Sequence, residues 1–478
     1  MLVLWIVLGV LALFFAVVIV RTVMFKPSDE KRAEPQAVEF DEKKAVEDLA
    51  KMIRCKTVSN RDWSLVDEGE FEKFRELLKN LYPVIHKTCT LERIGNTGLL
   101  YLWKGKSSGK PTVLMSHYDV VPANEESWDK PAFEGIIEDG VLWGRGTLDT
   151  KGTLCGVMEA SETLIKGGFV PENDIYFSFA GDEEVAGTGA VGIVAELEKR
   201  GVTPELVVDE GGAVVEQIFP GVKDKCALIG IGEKGMADVE FRMASHGGHA
   251  SAPPPHGPVG NLAKAVVDVE NKPFPSRLTV PVCGMFDTLG RRSSFLFRMI
   301  FANLWCFKPL LDMLCKSKGG ELNAMMRTTC AFTQMEGSKA SNVLPPEAKV
   351  VANLRIIGGE TTDSVLAYLK KVVANDNIEI TKLYGMNPSI ASKTDSDGYR
   401  KLKRAIEQTW PEAIVSPYLM VACSDSRHFC KISDKVMRFS AMELSKEERG
   451  YIHANNERIP TEKIATTVAL YIRLIKQC

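Results

Sequence analysis

Three apolar runs, each closed by ionisable side chains, constrain this chain more than any other feature. Thr112-Val113-Leu114-Met115 leads into Ser116-His117-Tyr118-Asp119, Ile175 to Ala180 into Gly181-Asp182-Glu183-Glu184, and Leu206-Val207-Val208 into Asp209. Runs of this length and composition read as buried strands. Thr150 to Lys166, with Leu154, Val157, Met158 and Leu164 at helical spacing, lies between them, as does a second helical stretch from Val191 to Lys199. Strands alternating with helices predict an α/β fold with a mostly parallel sheet. Such sheets bind ligands beyond the carboxyl ends of their strands, which is where these histidine and acidic side chains fall.

A chain of 478 residues exceeds one ordinary core and predicts two domains. The first is expected over residues 42–232 and 388–478, with an α+β lid inserted over 233–387. The texture changes near Glu233-Lys234-Gly235. Alternation from Ala237 to Met243 follows, then helical stretches at Asn261–Val269 and Thr362–Ala374. Strands are expected near Thr328–Gln334, Ala348–Arg355 and Ile378–Leu383. Within the lid, residues 271–322 form a long insertion, apolar from Phe295 to Leu314 but broken by Arg298, Lys308, Pro309 and Asp312. Burying those charges in a membrane span costs about 2.5–3.5 kcal/mol each. A helical hairpin packed on the lid, or on a lipid-like substrate or membrane surface, is expected instead. The net charge of −3 offers no basic face on which to expect nucleic acid.

The N-terminus differs in kind. Leu2 to Val20 contains no charged or polar side chain, and Arg21 ends the run. About 20 apolar residues suffice to cross a bilayer, so residues 1–24 read as a transmembrane anchor and 25–41 as a charged linker. A cleaved signal peptide is the alternative, but a basic leading segment and a small-residue cleavage site are not evident. Arg21, Lys26, Lys31 and Arg32 follow the run, which favours a cytoplasmic body. Eleven cysteines without framework spacing suit a reducing compartment. A lumenal or extracellular body is the competing arrangement.

His117 and Asp119 alternate along an extended segment and can point the same way. Asp119 can then orient the imidazole for metal ligation. Gly144-Arg145-Gly146-Thr147-Leu148-Asp149-Thr150 sets Asp149 at a helix N-terminus. There it either caps the helix or bridges two cations. The consecutive acids Asp182, Glu183 and Glu184 repel one another and need compensation. With Asp209, and with His453 in Tyr451-Ile452-His453-Ala454-Asn455-Asn456-Glu457, these side chains match the mixed nitrogen and oxygen ligands of a hydrolytic zinc pair.

Several separated segments resemble the zinc aminoacylase, carboxypeptidase S and succinyl-diaminopimelate desuccinylase family of metallopeptidases. They are Ser-His-Tyr-Asp-Val-Val-Pro at 116–122, Gly-Arg-Gly-Thr-Leu-Asp-Thr-Lys-Gly at 144–152 and Asp-Glu-Glu at 182–184. Gly-Gly-His-Ala-Ser-Ala-Pro at 247–253, Asn-Val-Leu-Pro at 342–345 and His-Ala-Asn-Asn-Glu at 453–457 complete the set. The resemblance covers nearly everything after the linker and is nearest the carboxypeptidase S-like, N-acyl amino acid hydrolase branch. It implies two Zn2+ per subunit, replaceable by Co2+ or Mn2+, with Asp149 bridging. His117 and Asp209 would complete one metal site, and Glu184 and His453 the other. It makes Glu183 the general base and implies a cis peptide at Asp149-Thr150. His249 would steady the oxyanion, often from a partner subunit, so the resemblance allows a homodimer through the lid. Asn342, Arg355 and Arg427 would hold the substrate's carbonyl and carboxylate. Two departures stand out: the long insertion, and Asp209 where many relatives carry Glu.

The reaction expected is hydrolysis of the amide bond of a C-terminal peptide residue or an N-acyl amino acid. The alternatives are a metal-dependent aminopeptidase or dipeptidase, and a catalytically inactive, membrane-anchored binding protein.

Overall fold

The apolar strands lie side by side in the computed structural model, which describes residues 1–27 and 31–478. Ser107–His117 pairs in parallel with Asn173–Ala180 on one side and with Leu206–Val215 on the other. Val436–Leu444 continues the parallel set beside Leu206–Val215, and Ile414–Met420 pairs in parallel with Cys226–Glu233. Two antiparallel strands, Thr90–Ile94 and Gly98–Trp103, finish one edge of this eight-stranded sheet. The fold is therefore mixed α/β around a mostly parallel central sheet. His117 stands opposite Ala180 in the register, so His117 and the acidic run after Ala180 leave the sheet at the same edge.

The strand beginning at Leu206 is longer than its apolar run suggests and extends to Val215. Asp209 pairs with Arg438, yet the next paired residue is Gly212, opposite Phe439. Glu210 and Gly211 thus form a bulge, with Gly211 at φ 139°. A bulge bends its strand and re-aims a side chain, and bulges gather beside active sites.

A second, antiparallel sheet orders Thr329–Glu336, Glu347–Ile356, Gly235–Ala244 and Glu379–Met386. Its two central strands alternate: Ala237, Val239 and Phe241 turn inward with Val350, Ala352 and Leu354. Helices Pro258–Asn271 and Thr362–Val373 cover that face with Leu262, Val269, Val365 and Leu369, giving this unit its own hydrophobic core.

The insertion forms helices Val280–Gly290, Phe295–Ala302, Leu304–Lys318 and Gly320–Met326. Its expected packing on the lid is not what is found. Val282, Met285, Phe286, Leu289, Phe301, Leu311 and Met326 join the core of the large sheet. Phe286 and Phe301 have ring centroids 5.1 Å apart, and both meet Phe219 of the body. On Val280–Gly290, Val282, Met285, Phe286 and Leu289 fall at helical spacing on one side, and that side lies on Ile414–Met420 of the large sheet.

Leu2–Met24 is a single helix, and among the described residues the one long and apolar enough to cross a membrane. Only Val18 and Thr22 are buried along it. Residues 31–41 form no helix or strand but are tied to the body, with Arg32 donating to the Pro411 carbonyl and Arg473 to that of Gln36. Residues 28–30 of the expected linker lie outside the described residues.

Candidate metal centre

The carboxyl edge of the large sheet collects side chains from distant parts of the chain. His117, at its strand's end, sets Nδ1 3.0 Å from the Asp119 carbonyl and 3.3 Å from Asp119 Oδ1. That contact fixes the ring and leaves Nε2 facing the cluster. Nε2 lies 2.9 Å from Asp149 Oδ1 and 3.6 Å from Glu210 Oε1. On the other side of Asp149, Oδ2 lies 2.9 Å from His453 Nε2, which is also 3.2 Å from Glu184 Oε2. The two oxygens of one carboxylate thus face two histidines.

The surrounding backbone is fixed by buried carboxylates. Asp119 accepts the Glu183 and Glu184 N–H groups at 3.2 and 3.1 Å, so one side chain positions both His117 and the acidic turn. Glu457 is fully buried and accepts N–H groups from Gly146, Leu148 and Asp149 at 3.1, 2.8 and 3.2 Å. It also pairs with buried Arg145 at 2.8 Å, and Arg145 reaches the His453 carbonyl at 3.3 Å. The turn carrying Asp149 and the loop carrying His453 therefore share one brace. The Asp149–Thr150 peptide is cis, as the resemblance implies. Asp182 takes no part in the cluster: it accepts from Thr188 and Gly189 at the start of the next helix.

Burial raises the Glu183 carboxyl well above its usual range, with Asp425, Asp119 and Asp149 adding to the effect against His117. Burial raises Glu210 similarly, reinforced by Asp149. Burial disfavours a charged His117, but Glu210, Asp119 and Asp149 outweigh it and raise its pKa well above normal. Hydrogen bonds to Asp149 and Glu184 raise His453 to about 10. Carboxylates outnumber imidazoles here, and a field that holds protons this firmly also attracts metal cations. Glu184 Oε1 is buried and has no hydrogen-bond partner, an acceptor that a cation would satisfy. His117, Asp149 and Glu184 present ligand atoms within 4.8 Å of one another, as do His117, Glu183 and Glu210. The donor set fits hard or borderline divalent metals.

The expectation of Asp209 in this cluster is corrected to Glu210. Asp209 Oδ2 instead accepts the Ser426 N–H at 2.9 Å, because the bulge turns Glu210 toward His117. The adjacent glycines Gly211 and Gly212 are the sequence signal for such a bulge. Sequence reading also gave no role to Glu457, Arg145 or Asp425, although the first two lie in recognised segments. Asp425 is buried, and burial together with Asp209, Asp182 and Asp119 raises its carboxyl well above the usual range.

The expected substrate residues lie elsewhere. His249 is exposed on a two-stranded ribbon, where it pairs with Val343, and Ala250 N–H donates to the Asn342 carbonyl at 3.0 Å. Among the described residues, no hydrogen bond from His249 or Asn342 reaches the carboxylate cluster. Arg355 points to Cys423 Sγ at 3.7 Å, and Arg427 donates to the Asn387 carbonyl at 2.6 Å, both where the two sheets' units meet.

Residues 113–477 match the family model Peptidase family M20/M25/M40. The chain belongs to this peptidase family. This M20 chain is 36% identical over 436 residues to a probable carboxypeptidase S-like 2 of Dictyostelium discoideum, covering 90% of this chain and 84% of that protein. It is 34% identical over 477 residues to the N-fatty-acyl-amino acid synthase/hydrolase PM20D1 of Xenopus tropicalis, covering 98% and 93%. Among solved structures, an M20 family metallo-carboxypeptidase of Sulfolobus solfataricus matches with a TM-score of 0.64 at 19% identity, covering 90% of this chain and 98% of that one. The M20 chain is thus an enzyme of a metal-dependent hydrolase family, and its relatives are named carboxypeptidases and N-fatty-acyl amino acid hydrolases.

Proposed function

We propose that this enzyme hydrolyses the amide bond of N-acyl amino acids, or of a peptide's C-terminal residue, with two zinc ions. The observation carrying this reading is Asp149, whose two oxygens each lie 2.9 Å from a different histidine. His117 and Glu210 would hold one ion, His453 and Glu184 the other, and Asp149 both. When bound, the metals supply Lewis acidity to the scissile carbonyl and make a water acidic enough to serve as nucleophile near neutral pH.

The chain's own groups supply the rest. Glu183, held by its backbone to Asp119, takes a proton from the attacking water and passes it to the leaving amine; its raised proton affinity suits both transfers. Asp119 is a positioning residue through His117 and the acidic turn. Arg355 and Arg427 offer guanidinium groups for the free carboxylate of the amino acid. His249 and Asn342 ride on one ribbon and would approach the substrate carbonyl together. The name of the Xenopus tropicalis relative favours a long acyl chain. The apolar N-terminal helix is read as a membrane anchor, with Arg21 and Lys26 on the body side favouring a cytoplasmic body.

Glu183→Ala tests the assignment. Release of free amino acid from N-acyl amino acids should be lost while zinc content by elemental analysis is unchanged. Unchanged turnover would remove Glu183 from the mechanism. Faster cleavage of free than of blocked N-termini would favour an aminopeptidase.

A further inference from the structure

The second and third helices of the insertion, Phe295–Ala302 and Leu304–Lys318, carry an apolar surface that hydrolysis does not use. Leu296 is 69% exposed, Trp305 and Met313 each 59%, and Phe295, Leu310 and Leu314 are also exposed. Large apolar side chains left exposed together on two consecutive helices point to an interaction site. What covers it follows from its attachment. Arg21 donates to the Ala302 carbonyl at 3.1 Å, and buried Asn303 donates to the Val18 carbonyl at 3.1 Å and to Thr22 Oγ1 at 3.2 Å. The Trp305 ring then meets Phe14 edge-on, with centroids 5.7 Å apart.

These contacts set a depth. Phe14 precedes Arg21 by seven residues, about 10 Å along a helix axis. With Arg21 at the edge of the hydrocarbon, Phe14 lies that far inside it, and so does the indole touching it. The corner between the two helices cannot stay in water while its partner helix is in lipid. The positions of Asp312, Lys316 and Arg291 agree with a segment lying in the membrane face rather than crossing it. Asp312 pairs with Arg327 at the end of the insertion's last helix, and Lys316 with Asp312 at 2.9 Å. Arg291 stacks on Phe25 with 4.4 Å to the centroid and donates to the Lys26 carbonyl, at headgroup level. Apolar residues on one side, cations at the margin and a Trp between the two characterise interfacial helices.

We propose that the Phe295–Lys318 helical pair is embedded in the lipid bilayer beside the N-terminal helix, giving the enzyme body a second membrane contact. The proposal rests on reading Leu2–Met24 as membrane-spanning, and the experiment separates the two. Full-length protein is reconstituted into phosphatidylcholine vesicles containing phosphatidylserine and doxyl-labelled lipid. An environment-sensitive fluorescent residue is introduced by nonsense suppression, singly, at Val7, Leu296, Leu310 or Asn377. Doxyl lipid should quench emission at positions 7, 296 and 310 and leave the exposed 377 position unchanged. Quenching at 7 without quenching at 296 and 310 overturns the proposal and leaves the anchor standing. Quenching at 296 and 310 without quenching at 7 removes the anchor, and with it the proposed second contact beside that helix. No quenching at any position overturns both.

Discussion

Replacing Glu457 by glutamine isolates one carboxylate's role in assembling the metal centre. Glutamine keeps an oxygen for the N–H groups of Gly146, Leu148 and Asp149 but cannot take Arg145, which it leaves buried and unpaired. Breaking one side of a buried ion pair costs about 3–5 kcal/mol. Both partners lie in the interior, so no solvent screening reduces that figure. The same change loosens the Asp149 turn and, through Arg145, the His453 loop. Supporting groups of this kind are worth about 10–100-fold in metal affinity. Urea denaturation followed by near-UV circular dichroism should move to lower urea, and zinc titration should show the weaker affinity. Arg145→Met combined with Glu457→Gln should recover part of the loss, since an uncharged pair leaves no orphaned cation. Wild-type zinc affinity and stability in Glu457→Gln, or strictly additive effects in the double variant, would refute the brace.

Two further outcomes follow from other parts of the chain. Glu210→Gln should lower zinc content, whereas Asp209→Asn should keep it, because an amide oxygen still accepts the Ser426 N–H; elemental analysis after dialysis decides which acid belongs to the centre. Burial, reinforced by Arg355, lowers Lys234 to about 7, while its ammonium faces the Ala324 and Arg327 carbonyls, each at 2.9 Å. In the unfolded chain that lysine keeps its proton to about pH 10.4. Between those values the unfolded state binds more protons, so this group's contribution to stability rises with pH across the window and is flat below it. Urea midpoints from pH 6 to 10 should show a shallower rise in Lys234→Met.

Part of the centre was legible because its residues sit at or just after strand ends, as His117, Glu183 and Glu184 do, and Asp149 and His453 only because their segments are recognised. His117, Asp149, Glu183, Glu184 and His453 sit where apolar runs stop or recognised segments fall, and the fold brings them together. Two kinds of information were not legible. Alternation along a strand says which face a residue takes only while the ladder is regular, and the bulge at Glu210-Gly211 breaks that count. Asp209 follows Val208 at the end of the apolar run, yet it is the next residue, Glu210, that faces His117. The brace from Glu457 to the Gly146–Asp149 turn spans more than three hundred residues, and no local pattern reports so distant a partner.

The insertion shows the second limit most clearly. Its apolar residues are equally compatible with the smaller sheet, the larger one or lipid, because hydrophobicity specifies burial and not the partner. Packing resolves this by dividing the residues: Phe286, Phe301 and Leu311 turn to the body's core, and Leu296, Trp305 and Met313 remain outside. The polar side chains separate the two groups. Asn303 is wholly buried, and beyond the Met299 carbonyl of the preceding helix its amide reaches the Val18 carbonyl and Thr22 Oγ1 of the N-terminal helix. A buried amide is costly without such partners, so Asn303 ties the insertion to that helix in one register. Were Leu2–Met24 to span a membrane, the same tie would make the body's orientation on it a property of the fold rather than of the linker. An anchor joined only through residues 25–41 would let the catalytic edge face any direction, whereas this contact holds it at a fixed angle to the helix that carries Phe14 and Arg21.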